Sequence, residues 1–473
     1  MAYQGSNTSA VVPDWLNKGD NSWQMVSATL VGLQGFPGLA MLYAGLVKQK
    51  WALNSAFMAL YAMAAAMPCW ALWAHKMAFG KRLLPFVGQP GPALTQDFMI
   101  AQSILPSTVH YKSDGELETA AVQPFYPEAS MVFFQWAFAG VTVGLVAGAL
   151  LGRMSLKSMD GFCAVVDYIF LYGRCLYFMG WRLLVPLGCD GLFGWICGAS
   201  CIGCGRIYRC LLGIYVGPRL KQDREDFPPN NLLVALMGAG TLWLGWTGFN
   251  GGDPFSANVD SSVAVLNTHI CATTSILVWV SLDFAFSGKP TTVGAIQGMI
   301  IGLVCITPAA GLVQGWAAVV MGIASGSVPW YTMTHLNRKW AVLQKVDDAL
   351  GILHTHAISG ILGGALTGLF AHPGLSNMFL PVTNSRGAFY GGASGGMQFV
   401  KLLVGACFVI AWNVVITSVI MVFIRVFLPL RLSQEELSAG DIAIHGEEAY
   451  AILGFPKYVE NGRGLDQTHD QRG

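Results

Sequence analysis

Residues 130–153 read SMVFFQWAFAGVTVGLVAGALLGR, an uncharged apolar run closed by Arg153. About 20 apolar residues suffice to cross the hydrocarbon core of a bilayer, so this stretch reads as one membrane span. Further runs lie at 23–46, 52–78, 231–250, 261–286, 292–313, 314–334, 348–371 and 400–429, and the first quoted run extends over 128–152. The irregular apolar segment 161–215 has room for two more, which brings the expected total to eleven.

Composition agrees with that reading. Hydrophobic residues make up 54% and charged residues 11%, and the mean hydropathy is +0.51. A soluble chain carries about a quarter charged residues; so few charges cannot cover a water-exposed surface of this size. The net charge of +1 is uninformative about partners, and no basic run suggests a nucleic-acid partner. Residues 1–20 contain no apolar signal core, so the first span is expected to direct insertion itself. Asn7-Thr8-Ser9 fits a glycosylation sequon, a pattern too short to carry weight.

Loop charges orient the chain. Lys48 and Lys50, Arg153 and Lys157, Arg219, Lys221 and Arg224, Lys289, and Arg338 with Lys339 follow alternate spans. Between them, 251–260 and 307–315 have no Lys or Arg, and the polar 79–125 loop, which mixes Lys, Asp, Glu and Pro, reads as external. Basic loops stay in the cytosol, which places the N-terminus outside and the C-terminus inside. The expected fold is therefore an all-α membrane protein of eleven transmembrane helices. An inverted five-plus-five repeat with a closing helix suits that count. Residues 1–431 form the membrane domain and the polar stretch 432–473 a cytosolic tail.

Polar residues inside spans are functional candidates by default. His356 lies in DDALGILHTHAISGILGGALTGLF (347–370). Its neutral imidazole can accept a hydrogen bond from an N–H substrate and relay a proton, or simply bond a neighbouring helix. His354 points elsewhere on the helix and reads as structural. Asp347 and Asp348 open the same span, where a helix N-terminus favours negative charge; capping and cation attraction both fit. Phe134 and Phe138 are one turn apart, while Trp246 and Phe249 end a span in LWLGWTGFNGGDP (242–254). Stacked rings could close a pore to hydrated ions yet tolerate an ammonium-like guest through cation–π contact. On spacing alone such aromatics are usually just core or lipid-facing.

Several long stretches carry a resemblance. GDNSWQMVSATLVGLQGFPGLAMLYAGLV, KQKWALNSAFMALYA, FQWAFAGVTVGLVAGALLGRM, WLGWTGFNGG, VLNT, GAIQGM, KVDDALGILHTHAISGILGGALTGLFA and GDIAIHGEEAY resemble the Amt/Mep/Rh ammonium transporters, above all plant members of the Mep-like second type. The resemblance implies a plasma-membrane trimer, not an enzyme, with an apolar pore through each subunit and no cofactor or metal. Its partners would be ammonium or ammonia, membrane lipid and sister subunits. It assigns Phe138 and Phe249 to a twin-Phe gate, and His356 to the second of two pore histidines. Phe134, Trp246, Asp253 and Asp348 become vestibule or inner-end candidates. In the tail, Asp441, His445, Gly446 and Glu447 match a segment that touches the neighbouring subunit and tunes transport. The implied mechanism recruits NH4+ outside, strips its proton and passes NH3, because a bare ion in a low-dielectric pore is severely penalised.

Segment 158–213 departs from the family. Its Asp-Tyr-Ser-Gly-Gly motif, its Leu-Trp-Gly-Gly-Gly motif and its first pore histidine are absent. Seven of the eleven cysteines fall there instead: Cys163, Cys175, Cys189, Cys197, Cys201, Cys204 and Cys210. Cys201-Ile202-Gly203-Cys204 invites a zinc or redox reading, but lacks a second ligand pair at zinc spacing. A reading-frame shift explains more. Permitted codons for Gly188 to Ile207, reread after dropping one base, give Gly-Val-Met-Asp-Tyr-Ser-Gly-Gly-Tyr-Val-Val-His-Leu-Ala-Ser-Gly-Val-Ala-Gly. Phe178 to Leu184 similarly yields Leu-Trp-Gly-Gly-Gly-Phe. The missing histidine then falls across Ala199 and Ser200. A non-conducting subunit, acting as sensor or dominant-negative partner, is the rival reading; a membrane metal or redox protein is a more distant one.

Overall fold

The computed structural model describes residues 11–84, 87–104, 124–155, 158, 215–225, 229–336, 339, 350–379 and 386–450. Among these residues, six helices are long and apolar enough to cross a membrane. Among the described residues the architecture is helical, apart from one short antiparallel ladder between β1 (Arg82–Leu84) and β2 (Val87–Gly88) and two isolated bridges, Gln102 with Pro127 and Met154 with Arg431. That hairpin falls within the polar 79–125 loop.

Helix α1 (Lys18–Leu33) begins at Asn17, whose side chain accepts from the Gly19 and Asp20 amides. Such a cap satisfies amides that have no partner within the helix. The chain then widens and breaks at Phe36, which leaves helical geometry (φ −147°, ψ 121°), and resumes as α2 (Ala40–Leu46). Pro37 has no amide hydrogen for the ladder. After α3 (Ala52–Cys69) and α4 (His75–Phe79), α5 (Glu128–Ala147) supplies the span that the sequence marks at 128–152. It ends five residues sooner, in turns through Gly152, whose φ is +66°.

Asn231 caps α6 (Leu232–Gly251), and Asn258 caps α7 (Val259–Ser287). Both side chains accept from amides two or three residues on. Thr291 does the same for α8 (Thr292–Ile306). Helices α9 (Gly315–Tyr331), α10 (Ser359–Phe370) and α11 (Gly392–Phe427) follow. With 36 residues, α11 is about 54 Å long, more than the roughly 30 Å of hydrocarbon it is expected to cross.

Helix α6 lies against α1, α2 and α7, while α7 packs on α8 and α9. At the α2–α6 crossing the backbones touch. A Cβ on Gly45 would meet the Ala235 amide nitrogen at 2.4 Å, and one on Gly238 would meet the Leu42 nitrogen at 2.4 Å. Small residues permit such approach, which is how helices associate where apolar burial no longer drives them.

The sequence places a span over 292–313 and an open loop at 307–315. The structure differs: the helix stops at Ile306, and Thr307–Ala309 form a tight turn. Pro308 cannot continue the ladder. This turn is buried, as are Leu312 and Val313, and Asn267 explains how. Its Nδ2 donates to the Ala310 and Val313 carbonyls at 2.9 and 2.7 Å, satisfying a backbone that cannot reach water.

After α11, Leu432 hydrogen-bonds back to Arg153, and of the two short helices α12 (Gln434–Ala439) and α13 (Asp441–His445) that follow, α13 packs against α3. Gly440 joins them at φ +75°, ψ −135°, and a Cβ there would meet the Lys50 carbonyl at 2.3 Å. Gly440→Ala is therefore expected to weaken tail docking by about 1–3 kcal/mol, read as faster protease cleavage between residues 432 and 450.

Candidate functional site

The α5 spacing puts Phe134 and Phe138 on one face, and α6 presents Trp246 and Phe249 opposite them. The four rings form a continuous stack. Phe134 meets Phe138 edge-on with centroids 4.8 Å apart, and Phe138 meets Phe249 at 4.4 Å. Trp246 stacks on Phe249 at 5.0 Å and 29°. Phe255 covers the far side of Phe134 at 6.1 Å. All four stacked rings are buried.

Helix α10 is preceded by a widened π turn, Leu353–Ile358, which carries both histidines. Single π turns of this kind recur at functional sites. His356 is buried, and its Nδ1 lies 2.6 Å from Thr355 Oγ1. His354 is buried as well; its Nδ1 lies 3.1 Å from Thr332 Oγ1, just beyond α9. The π turn packs against α8. Asp347 and Asp348 lie outside the described residues, as do Asn7, Cys201 and Cys204.

Asp253 is half-buried in the turn after α6. A different carboxylate ties that turn down: Asp20 Oδ1 accepts from Ser256 Oγ at 2.9 Å and from the Ala257 amide at 2.7 Å. No group of three metal-ligating side chains occurs among the described residues.

At the basic end, Asp441 acts as a cap supplied by the tail. Its carboxylate accepts from the Leu53 and Asn54 amides, each at 2.9 Å, at the start of α3. His445 Nε2 lies 3.2 Å from Asn54 Oδ1, with its ring 4.9 Å from Phe57. Gly446 ends α13 in the left-handed region, at φ +69°, and Glu447 is exposed. Lys50 bonds the Leu437 carbonyl at 3.1 Å and pairs with Asp223 at 3.1 Å.

Burial raises the Asp441 pKa from 3.8 to about 6, and nearby Glu448 adds to the shift, against the lowering by the two amides. A docked carboxyl that holds its proton more tightly than the free one stabilises docking as pH falls. Tail protection against hydrogen exchange is therefore expected to grow from about pH 6 down to pH 4 and to be level above that window. Asp441→Asn is expected to flatten the profile; an unchanged slope would assign it to another group.

Two threonines escaped the sequence reading. Thr307 Oγ1 accepts from Trp246 Nε1 at 2.9 Å, and Thr268 Oγ1 accepts from Asn250 Nδ2 at 2.8 Å. Thr268 stands in the VLNT stretch and Thr307 opens the uncharged TPAAG stretch. Nothing in either spacing announces a partner on α6.

The profile of the Ammonium Transporter Family matches residues 22–450. Ammonium transporter 3 member 3 of Oryza sativa subsp. japonica is 57% identical over 476 residues, covering 99% of this chain and 96% of its own. Ammonium transporter 2 of Arabidopsis thaliana is 51% identical over 458 residues, covering 96% and 93%. Among solved structures, Candida albicans Mep2 superimposes with a TM-score of 0.74 at 28% identity, over 89% of this chain and 88% of its own. This chain belongs to the ammonium transporter family.

Proposed function

We propose that this chain is an ammonium transporter of the plasma membrane, a multi-pass protein that recruits NH4+ at an outer vestibule and passes NH3 through an apolar pore. The observation that carries the proposal is the buried ring stack Phe134–Phe138–Phe249–Trp246, in a chain of this family that also buries His356. Closely packed rings leave no room for a hydrated cation, and a bare one pays heavily for lost hydration. An aromatic face offers partial compensation at the entrance. Neutral ammonia escapes the penalty, so proton loss precedes passage.

In this reading Phe138 and Phe249 form the gate, and His356 accepts an N–H beyond it. Asp253 sits at the vestibule and Asp348 at the inner end. Eleven spans, an outer N-terminus, an inner C-terminus and a homotrimer complete the assembly. The segment 432–473 is its regulatory tail, in which Asp441, His445, Gly446 and Glu447 form the motif that touches the neighbouring subunit and tunes transport. We also infer that 158–213 is read in a shifted frame, through an error in the gene structure or sequence or through mutation. The unshifted frame supplies the first pore histidine.

Ammonium-dependent growth and methylammonium uptake, in yeast cells lacking their own ammonium transporters, test the function directly. Uptake by the full chain, given or frame-restored, supports it. Absence of uptake from both, with each present at the cell surface, would refute it.

A further inference from the structure

Phe249 is flanked by two residues whose N–H groups are spoken for. Trp246, three residues earlier, donates Nε1–H to Thr307 Oγ1 at 2.9 Å. Asn250, one residue later, donates Nδ2–H to Thr268 Oγ1 at 2.8 Å. The acceptors come from two other elements, the turn that follows α8 and helix α7. Each hydroxyl is oriented in the same way. Thr307 donates to the Leu303 carbonyl at 2.7 Å and Thr268 to the Ala264 carbonyl at 2.6 Å, four residues back in both cases. With its single proton committed backward, each hydroxyl can only present a lone pair forward. All four side chains are buried.

We propose that Thr268 and Thr307 are positioning residues, a paired hydroxyl clamp that holds the Trp246–Asn250 segment and so fixes the Phe249 ring. The proposal rests on the reading of Phe249 as a gate and adds what sets its position. The Trp246 indole is the coupling element: it stacks 5.0 Å from Phe249, so a change in its angle moves the surface against which Phe249 packs. Losing the acceptor strands a buried N–H, a cost large enough to drive the indole to another position. Discrimination between ammonium and the bulkier methylammonium then depends on a hydroxyl remote from the ring it controls.

The test compares Trp246→Phe, Thr307→Val and their combination in whichever full-length chain, given or frame-restored, takes up ammonium. Trp246→Phe keeps a stacked ring but lacks the N–H. Each single variant is expected to lower ammonium uptake per surface protein about tenfold and to shift the methylammonium-to-ammonium ratio, in line with one stranded buried donor or one lost bond. The combination is expected to match the single variants to within about twofold, since all remove the same bond. Thr307→Ser, which keeps the hydroxyl, is expected to restore the ratio. Trp246→Phe transporting like the parent would overturn the proposal, as would a Thr307→Val loss that persists undiminished in the Trp246→Phe background. Should Thr307→Val fail to reach the surface, the Trp246→Phe result alone decides. Phe249→Ala separates the two levels: if it leaves uptake and the ratio intact, the gate reading itself fails, whatever the threonines do.

Discussion

Restoring the reading frame across residues 158–213 is expected to raise ammonium uptake from background to full transport, a change of at least about a hundredfold. The given frame places Asp167, Arg174, Arg182, Asp190, Arg206 and Arg209 in the stretch that the eleven-span reading takes for two spans. Each charge at a helix centre costs about 2.5–3.5 kcal/mol for insertion. The same frame has Ala199 and Ser200 where an imidazole is expected. Both faults disappear when the segment is reread one base over, its frame corrected at both ends. Sequencing the transcript identifies which frame is expressed, and the uptake assay measures the consequence. Equal uptake from the two chains would show that neither the charges nor the histidine matters here. A given-frame chain that reaches the surface but silences a conducting relative would instead support the regulatory-subunit reading.

The second large effect is expected from Phe249→Ala and His356→Ala. Deleting the Phe249 ring removes the partner of Phe138 at 4.4 Å and of Trp246 at 5.0 Å. The cavity left by such a truncation costs about 3–5 kcal/mol, so surface abundance must be measured beside uptake. Per surviving protein, ammonium uptake is expected to fall at least about tenfold. Phe249→Leu, which keeps bulk without a π face, is expected to recover abundance but not uptake, since the cation–π contribution is lost. His356→Ala leaves Thr355 without its 2.6 Å partner and, in the proposed reading, the substrate without an acceptor, again about tenfold or more for a buried hydrogen-bonded group. Uptake surviving both substitutions unchanged would count decisively against these site residues.

Much of the fold was legible because membrane insertion leaves a local trace. A run such as 130–152 announces a helix whatever surrounds it, since backbone groups in hydrocarbon must bond within their own segment. Helix ends were less legible. Asn17, Asn231, Asn258 and Thr291 mark starts by local chemistry, yet nothing in the loop read at 307–315 announced that its Thr307–Ala309 turn is buried. What makes it tolerable is Asn267 on another helix, satisfying carbonyls 43 and 46 residues away.

The sequence by itself determined the membrane class, the principal spans, the candidate rings and the histidine, because each depends on hydropathy, on spacing within one helix or on a contiguous motif. Tertiary structure decided which of those residues meet. Thr307 finds Trp246 across 61 positions, and Asp441 finds the Leu53 amide across 388. A hydrogen bond is directional and short-ranged, so such partners exist only once helix packing brings them within 3 Å or so, and no local pattern encodes that meeting.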